Sequence, residues 1–379
     1  MAQAAIVQVG LLSNPVFDVA AERGTGVGGD QLDAAVVLDF LDVFYIPLRR
    51  GLATSKFEAA KLAITAAAMD LAFDTRIAFV SMQAEEQQLE MRRQVLASTE
   101  ASLTSAQELR EAGNVTSLDV DNQQTLLDRA RLNVAVAEAA VVVSRERLNR
   151  LMGLWGDDVE WQAAQRLPDV PSELPPGDLE AQAVESSVDL ALARQRIESA
   201  GRQLGMTETT ALIPELHVGP LIAREEGSTR IGAIVEVPLP LFDRGQARSA
   251  KDRAVPQGLQ AEYVALAVEL RSNLRSVRQQ VYTTGRIARY YREQILPVRR
   301  RITEQTLLQY NAMQIGVFRL LMAKEQEIDA GRRYIESLRN YWLSRARLDQ
   351  LLSGRMPPGM ADLELSTTAS SMTAGEGGH

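Results

Sequence analysis

Two periodicities alternate along the chain. Between Leu118 and Leu151, the apolar positions Val120, Leu127, Val134, Val141 and Leu148 interleave with Ala130, Ala137, Ser144 and Leu151. Alternating steps of three and four are the pattern of a heptad helix seam. Ala323, Ala330, Ser337, Ser344 and Leu351 repeat it in the second half, with a further stripe of Leu321, Ile328, Ile335 and Trp342 one residue over. A third pattern runs through Leu270, Leu274, Val277, Val281, Ala288, Tyr291, Ile295, Val298 and Ile302. Small seam residues allow close helix approach, and two stripes on one helix place it between two neighbours. The expected arrangement is a sheet-like or barrel-like layer of coiled coils. No Pro or Gly interrupts Ala53 to Ala112, enough for a straight helix of ~90 Å. Pro297 lies inside the third pattern and removes a helical hydrogen bond, which predicts a bend there.

Short alternating segments separate these stretches. In 31–45, Leu32, Ala34, Val36, Leu38 and Phe40 share one parity, while the other includes Asp33 and Asp39. In 230–237, Ile231, Ala233, Val235 and Val237 alternate with Arg230, Gly232, Ile234 and Glu236. Both read as strands with one apolar and one partly polar face, as a barrel wall requires. Residues 24–30 and 225–228 are the expected hairpin loops. A phosphate-binding reading of Gly24 to Asp30 needs a helix opening directly on the glycines, and a strand pattern follows instead. Four strands cannot close a barrel, so a barrel would take several chains.

The two halves correspond in order. Ser13 to Pro15 answers Leu212 to Pro214, and Pro47 to Gly51 answers Pro240 to Gly245. Leu109 to Val115 answers Gln309 to Ile315, and Arg145 to Leu151 answers Arg345 to Leu351. A unit of extended segment, long helix, turn and long helix is therefore duplicated. The fold class is mainly α with a small β part: duplicated strand hairpins carrying long antiparallel coiled-coil helices. The expected division is 1–13, the end of a truncated helix; 14–46, a first β-hairpin; 47–153, a first long helical hairpin; and 154–180, an inter-repeat loop. A helix at 181–211, a second β-hairpin at 212–241, a second helical hairpin at 242–354 and a disordered tail at 355–379 complete it.

Composition narrows the chemistry. A net charge of -8 argues against general affinity for nucleic acid or anionic lipid. The absence of Cys excludes thiolate zinc sites, iron–sulfur clusters, Cys nucleophiles and disulfides. His217 and His379 are the only histidines, so no catalytic triad, metal centre or cofactor site is expected and the chain does not read as an enzyme. His217 alternates with Glu215 and suits a surface or channel-lining place. No apolar run reaches the ~18 residues of a membrane-spanning helix, although a membrane β-barrel would leave the same absence. Residues 1–30 lack the basic-then-apolar pattern of a secretory signal.

The chain resembles the TolC-type outer-membrane efflux protein family from about residue 2 to Gly354. The resemblance rests on two helix-hairpin tips, Arg110 to Val120 and Tyr310 to Val317. The Pro-Leu-Phe-Asp-Arg-Gly run at 240–245 and the Leu-Met-Gly and Leu-Leu-Ser-Gly helix ends add to it. It implies a homotrimer in which each protomer gives four strands to a twelve-stranded outer-membrane barrel embedded in lipid. The helices would form an α-barrel tunnel through the periplasm. Its partners would be an inner-membrane pump and a periplasmic adaptor that meets the tips, at Gly113, Asn114, Val115 and Thr116 and at Met313, Gln314, Ile315 and Gly316. Family members begin with an export signal and a further helical segment, of which Met1 to Leu12 resembles only the end. The chain thus reads as a fragment or as starting too far downstream. Asp119 matches the family's acidic gate position. In the second tip Arg319 and Met322 stand where acidic residues are usual, so an acidic gate does not carry over there.

Asp119 and Asp121 could form an anionic ring in a trimer; equally, Asp119 belongs in a first helical turn favoured by the helix dipole. Arg319 could pair with such an acid or sit on a solvated face. Met82, Met313 and Met322 would suit soft-metal traffic, yet methionine at helical spacing is ordinarily packing. The loop with Pro168, Pro171, Pro175 and Pro176 is expected along the outside of a tunnel. The leading expectation is a passive export duct for drugs or metal ions; the alternative is a soluble or periplasmic coiled-coil scaffold or adaptor.

Overall fold

The computed structural model describes residues 2–22, 31–163, 166–171, 179–211, 215–225, 228–238 and 241–357. The loops expected at 24–30 and 225–228 fall wholly or partly outside these, as do Pro175, Pro176, Pro214, Pro240 and the tail from 358 with His379. In chain order the elements are α1 (Ala2–Gln8), β1 (Val16–Glu22), β2 (Gln31–Asp39), α2 (Asp42–Glu111), α3 (Ser117–Met152), α4 (Leu179–Ser186) and α5 (Val188–Thr210). There follow β3 (His217–Glu225), β4 (Ser228–Glu236), α6 (Gln246–Tyr290), a π turn (Tyr291–Ile295), α7 (Leu296–Asn311) and α8 (Val317–Leu352). Contacts divide the chain into two units, residues 1–66 with 188–269, and residues 67–187 with 270–379.

The first unit holds one antiparallel sheet in the order β1-β2-β3-β4. Directly opposed residues share a face, and the register Phe17↔Val36, Ala34↔Ile222 and Ile222↔Ile231 assigns the side chains to two faces, with Arg224 the one charged residue on the apolar side. One face carries Phe17, Val19, Leu32, Val36, Leu38, Val218, Ile222, Ile231 and Val235, all exposed. The other carries Asp18, Glu22, Asp33, Asp39, His217, Glu225, Arg230 and Glu236, together with Val16, Val37, Leu221 and Ile234. Both parities read from the sequence, in 31–39 and in 230–236, fall on these faces. Gly219 is required where β2 and β3 meet, because a Cβ there would lie 1.8 Å from the Val36 carbonyl oxygen.

The strand expected to run to residue 45 stops at Asp39, and the long helix begins at Asp42 rather than at 47. Asp39 Oδ1 accepts the N–H groups of Leu41 (3.1 Å) and Leu216 (3.2 Å), which ends the ladder with a side-chain turn. Asp42, fully buried, accepts the Ser13 N–H at 2.7 Å and pairs with Arg49. Those contacts hold the first helical turn although Pro47 lies within it. Below the sheet α5 is bonded to α2 through Ser55 and Ser199 (2.7 Å) and to α6 through Thr207 and Asp252 (2.6 Å). The single helix expected at 181–211 is two helices, separated at Ser187.

In the second unit α2 lies between α3 and α8. Arg93 meets Glu138 (2.8 Å) and Ser102 donates to Gln123 (2.6 Å) on the α3 side. On the α8 side Gln88 donates to the Arg332 carbonyl (2.9 Å) and Arg76 meets Asp349 (3.0 Å). The seam read from the sequence is the packed one: Leu127, Ala130, Val134, Ala137 and Leu148 are buried on α3, and Ala323, Ala330, Ser337, Ser344 and Leu351 on α8. Leu167 of the inter-repeat segment packs with Val80, Ala84 and Ile335. Trp161 Nε1 donates to the buried Asn149 at 2.8 Å.

The third pattern holds only as far as Ile295. Leu270, Leu274, Val277, Val281 and Ala288 are buried, whereas Val298 and Ile302 are exposed. The cause is the π turn, in which the Leu296 N–H reaches back to the Tyr291 carbonyl. It adds one residue to a turn and rotates everything after it by roughly 100°. Arg299 and Thr303 take the inward places, bonding Gln326 (2.7 Å) and the Ala323 carbonyl (3.3 Å). Pro297 has no N–H for the Glu293 carbonyl, so an α turn there would lose its bond; a π turn is the form the distortion takes.

Candidate functional site: the two hairpin tips

Both tips are built the same way. At the first, Gly113 adopts φ 75°, its N–H donates to the Arg110 carbonyl (2.9 Å), and the Asn114 N–H donates to the Leu109 carbonyl (2.8 Å). At the second, Met313 adopts φ 58°, its N–H donates to the Tyr310 carbonyl (2.9 Å), and the Gln314 N–H donates to the Gln309 carbonyl (2.9 Å). This paired return of N–H groups around a left-handed residue is a Schellman closure. The N-cap of the next helix follows two residues later in each case, Thr116 (φ -84°, ψ 167°) and Gly316 (φ -77°, ψ 159°).

The chemistry on that shared backbone differs. Thr116 donates its N–H (2.8 Å) and its hydroxyl (2.7 Å) to Asp119 Oδ2, and the Asp119 N–H returns to Thr116 Oγ1 at 3.2 Å. This capping box stabilises the first turn of α3. The Thr116 hydrogen bonds hold the Asp119 carboxyl below its usual range. Gly316 offers no side chain to cap α8, and the third helical position carries Arg319, a cation at the positive end of a helix. Arg319 makes no ion pair with Asp119 or Asp121 within one copy, among the described residues. Asp121 is exposed.

Apolar side chains stand out in solvent around both tips: Leu118, Leu308, Met322 and Met313, the last 94% exposed. Met82 is fully buried against Ala78 and Leu148 and serves packing. Leu118 and Leu308 were not singled out from the sequence, although each sits within four residues of a tip loop. The left-handed place of Met313 was readable from its alignment with Gly113. His217 begins β3 and lies 3.3 Å from Glu215. No cluster of three or more His, Asp or Glu side chains suited to a metal occurs among the described residues.

The family described as "Outer membrane efflux protein" matches residues 48–154, which cover the first helical hairpin and its tip. The cobalt-zinc-cadmium resistance protein CzcC of Cupriavidus metallidurans is 24% identical over 244 residues, 64% of this chain and 57% of CzcC. The outer membrane protein OprJ of Pseudomonas aeruginosa is 26% identical over 213 residues, 52% of this chain and 43% of OprJ. The solved outer-membrane channel OprN superposes with a TM-score of 0.76 at 16% identity, over 93% of this chain and 84% of that one. The chain resembles outer membrane efflux proteins. It spans about half the length of the two sequence relatives. The family match ends where the first hairpin ends; the second hairpin shares the OprN-like fold and repeats the first in sequence.

Proposed function

We propose that the chain is the subunit of a passive export duct, three copies of which close a twelve-stranded barrel in the outer membrane and continue as a helical tunnel into the periplasm. The observation that carries this reading is the sheet. Nine large apolar side chains share one solvent-facing side of four strands, while every charged residue of the strands except Arg224 lies on the opposite side. Such a surface is costly in water and favourable in lipid. β1 and β4 have free edges in the order β1-β2-β3-β4, which further copies would pair. The tips would meet a periplasmic adaptor, with an inner-membrane pump supplying the energy. Asp119, Asp121 and Arg319 would line the inner entrance. The cargo is a small molecule or metal ion; the likeness to CzcC favours divalent metal. The exposed apolar face counts against a soluble scaffold.

The test is membrane partitioning of paired variants in cells that make the chain. Ile231→Asp, on the apolar face, should leave the outer-membrane fraction, while Arg230→Asp, its neighbour on the charged face, should remain there. Equal behaviour of the two, or absence of the unaltered chain from that fraction, overturns the reading.

A further inference from the structure

We propose that a row of arginines along α6 docks the outer wall of the tunnel onto an extended polymer of carboxylates, the peptide-bearing glycan of the cell wall. This rests on the duct reading above and adds a partner on its periplasmic surface.

The row is set by helical spacing. Arg271, Arg275, Arg278, Tyr282, Arg286 and Arg289 recur at steps of four, three, four, four and three. Such steps keep them on one face of α6 for ~27 Å. They lie roughly 100° around the helix from the buried seam of Leu270, Leu274, Val277 and Val281. All but Arg289 are exposed. The Arg286 guanidinium sits over the Tyr282 ring, 5.6 Å from its centroid, and Arg289 Nε–H donates to the Gly285 carbonyl at 3.3 Å. These contacts fix both side chains along the helix.

From Arg271 to Arg301 the chain has nine arginines and one acid, Glu293, within a protein of net charge -8. Arg271, Arg278 and Arg286 make no ion pair among the described residues, and Arg275 meets Glu180 at 3.4 Å. Like charges at four-residue spacing destabilise a helix. A row retained at that cost is suited to an anion supplied from outside the copy.

The row lies on the side of α6 that bears the inter-repeat segment. Glu180 belongs to α4, and a groove of about 510 Å³ beside it is lined by Leu179 of α4, by Arg275, Arg278 and Tyr282, and by Leu348 of α8. Farther along, Asp169 reaches Arg292 at 3.1 Å. In a tunnel walled by single helices an added layer lies outside, because inside it would close the passage. The row therefore faces the periplasm, the space that holds the cell wall.

Composition and shape select the occupant. The positions of the row hold arginines and one tyrosine, with no aliphatic residue among them. The centre of a protein–protein interface is apolar and depleted in charge, so an acidic protein fits this face poorly. Cations spaced by steps of roughly 4.5–6 Å along a straight axis suit a linear polymer with repeated carboxylates, which guanidinium groups bind in pairs of hydrogen bonds. The stem peptides of the wall glycan present such carboxylates.

The test takes the full chain, purified in detergent from its own outer membranes, with protein-free insoluble sacculi as the probe. The chain should sediment with the sacculi at low salt and be released at ~0.5 M salt. Arg271→Glu with Arg278→Glu and Arg286→Glu should lower the bound fraction roughly tenfold, and lysine at the same three positions should retain most of it. Arg110→Glu with Arg129→Glu and Arg147→Glu, all exposed, makes the same charge change on α2 and α3 and should bind as the unaltered chain does. Amidating the carboxylates of the sacculi should abolish binding by the unaltered chain, with no variant involved. Equal binding by the two glutamate triples, or binding that survives amidation, overturns the proposal and leaves the duct reading standing. Binding only to sacculi that keep their attached proteins assigns the row to an acidic protein and overturns it as well. A chain absent from the outer-membrane fraction overturns the duct reading, and this proposal with it.

Discussion

Gly113 and Met313 hold the same left-handed backbone position at the two hairpin tips, with φ 75° and 58°. Glycine takes that conformation at no steric cost, whereas a residue with a Cβ gives up roughly 1 kcal/mol. The second tip is therefore the weaker of two structurally equivalent closures. Met313→Gly should stabilise it by about 1 kcal/mol, and Gly113→Met should weaken the first tip by a similar amount. Amide hydrogen exchange across 109–116 and 309–316 measures both, and unchanged protection in either variant would contradict the account.

The capping box of Thr116 and Asp119 distinguishes the first tip chemically. The carboxyl is held below its ordinary range by Thr116 hydrogen bonds, so its contribution is present above the unfolded carboxylate pKa. It is lost as pH falls through the lowered folded value. Exchange protection at 116–120 should therefore drop on acidification, and Asp119→Asn should remove that dependence. At the second tip, which has Arg319 in the equivalent place, no such acid step is expected.

Gly285 faces the Tyr341 ring, with 3.3 Å between a would-be Cβ and the ring carbons, and Tyr341 is fully buried. Gly285→Leu forces α6 away from α8 and should cost about 1–3 kcal/mol. Urea unfolding of the purified chain reads this as a lowered midpoint. Gly258→Leu, with nothing within 4 Å of its Cβ position, is the control for the substitution itself.

Removing Gln294 takes the extra residue out of the π turn and should convert 291–296 to plain α-helix. Arg299 and Thr303 should keep their inward places, because the deletion removes the same ~100° of rotation that the extra residue adds. Hydrogen exchange over 296–311 should therefore show protection retained. A loss of protection there would mean that the π turn itself is needed to bring Arg299 and Thr303 to Gln326 and Ala323.

The heptad of α3 and its counterpart in α8 are local patterns, and the buried residues are those whose spacing marked them. The tips were legible because the duplication placed Asn114 and Gln314 in equivalent positions. The strand parities were legible because Asp33 and Arg230 mark the polar side. Outside that reach lies whatever depends on a residue far along the chain. Residues 40–46 are apolar enough for strand or helix, and the choice rests on Asp39 turning to Leu216 and Asp42 to Ser13 and Arg49. The inward places of Arg299 and Thr303 depend on a π turn that no periodic reading contains, because a repeat assumes that every turn has the same number of residues. The sequence by itself determined the repeat, the seams and the two-faced strands, all set by spacing between near neighbours. The tertiary structure alone decided where α2 begins, which side of α7 is buried and which edges stay open, because those follow from contacts between distant segments competing for the same backbone and side-chain groups.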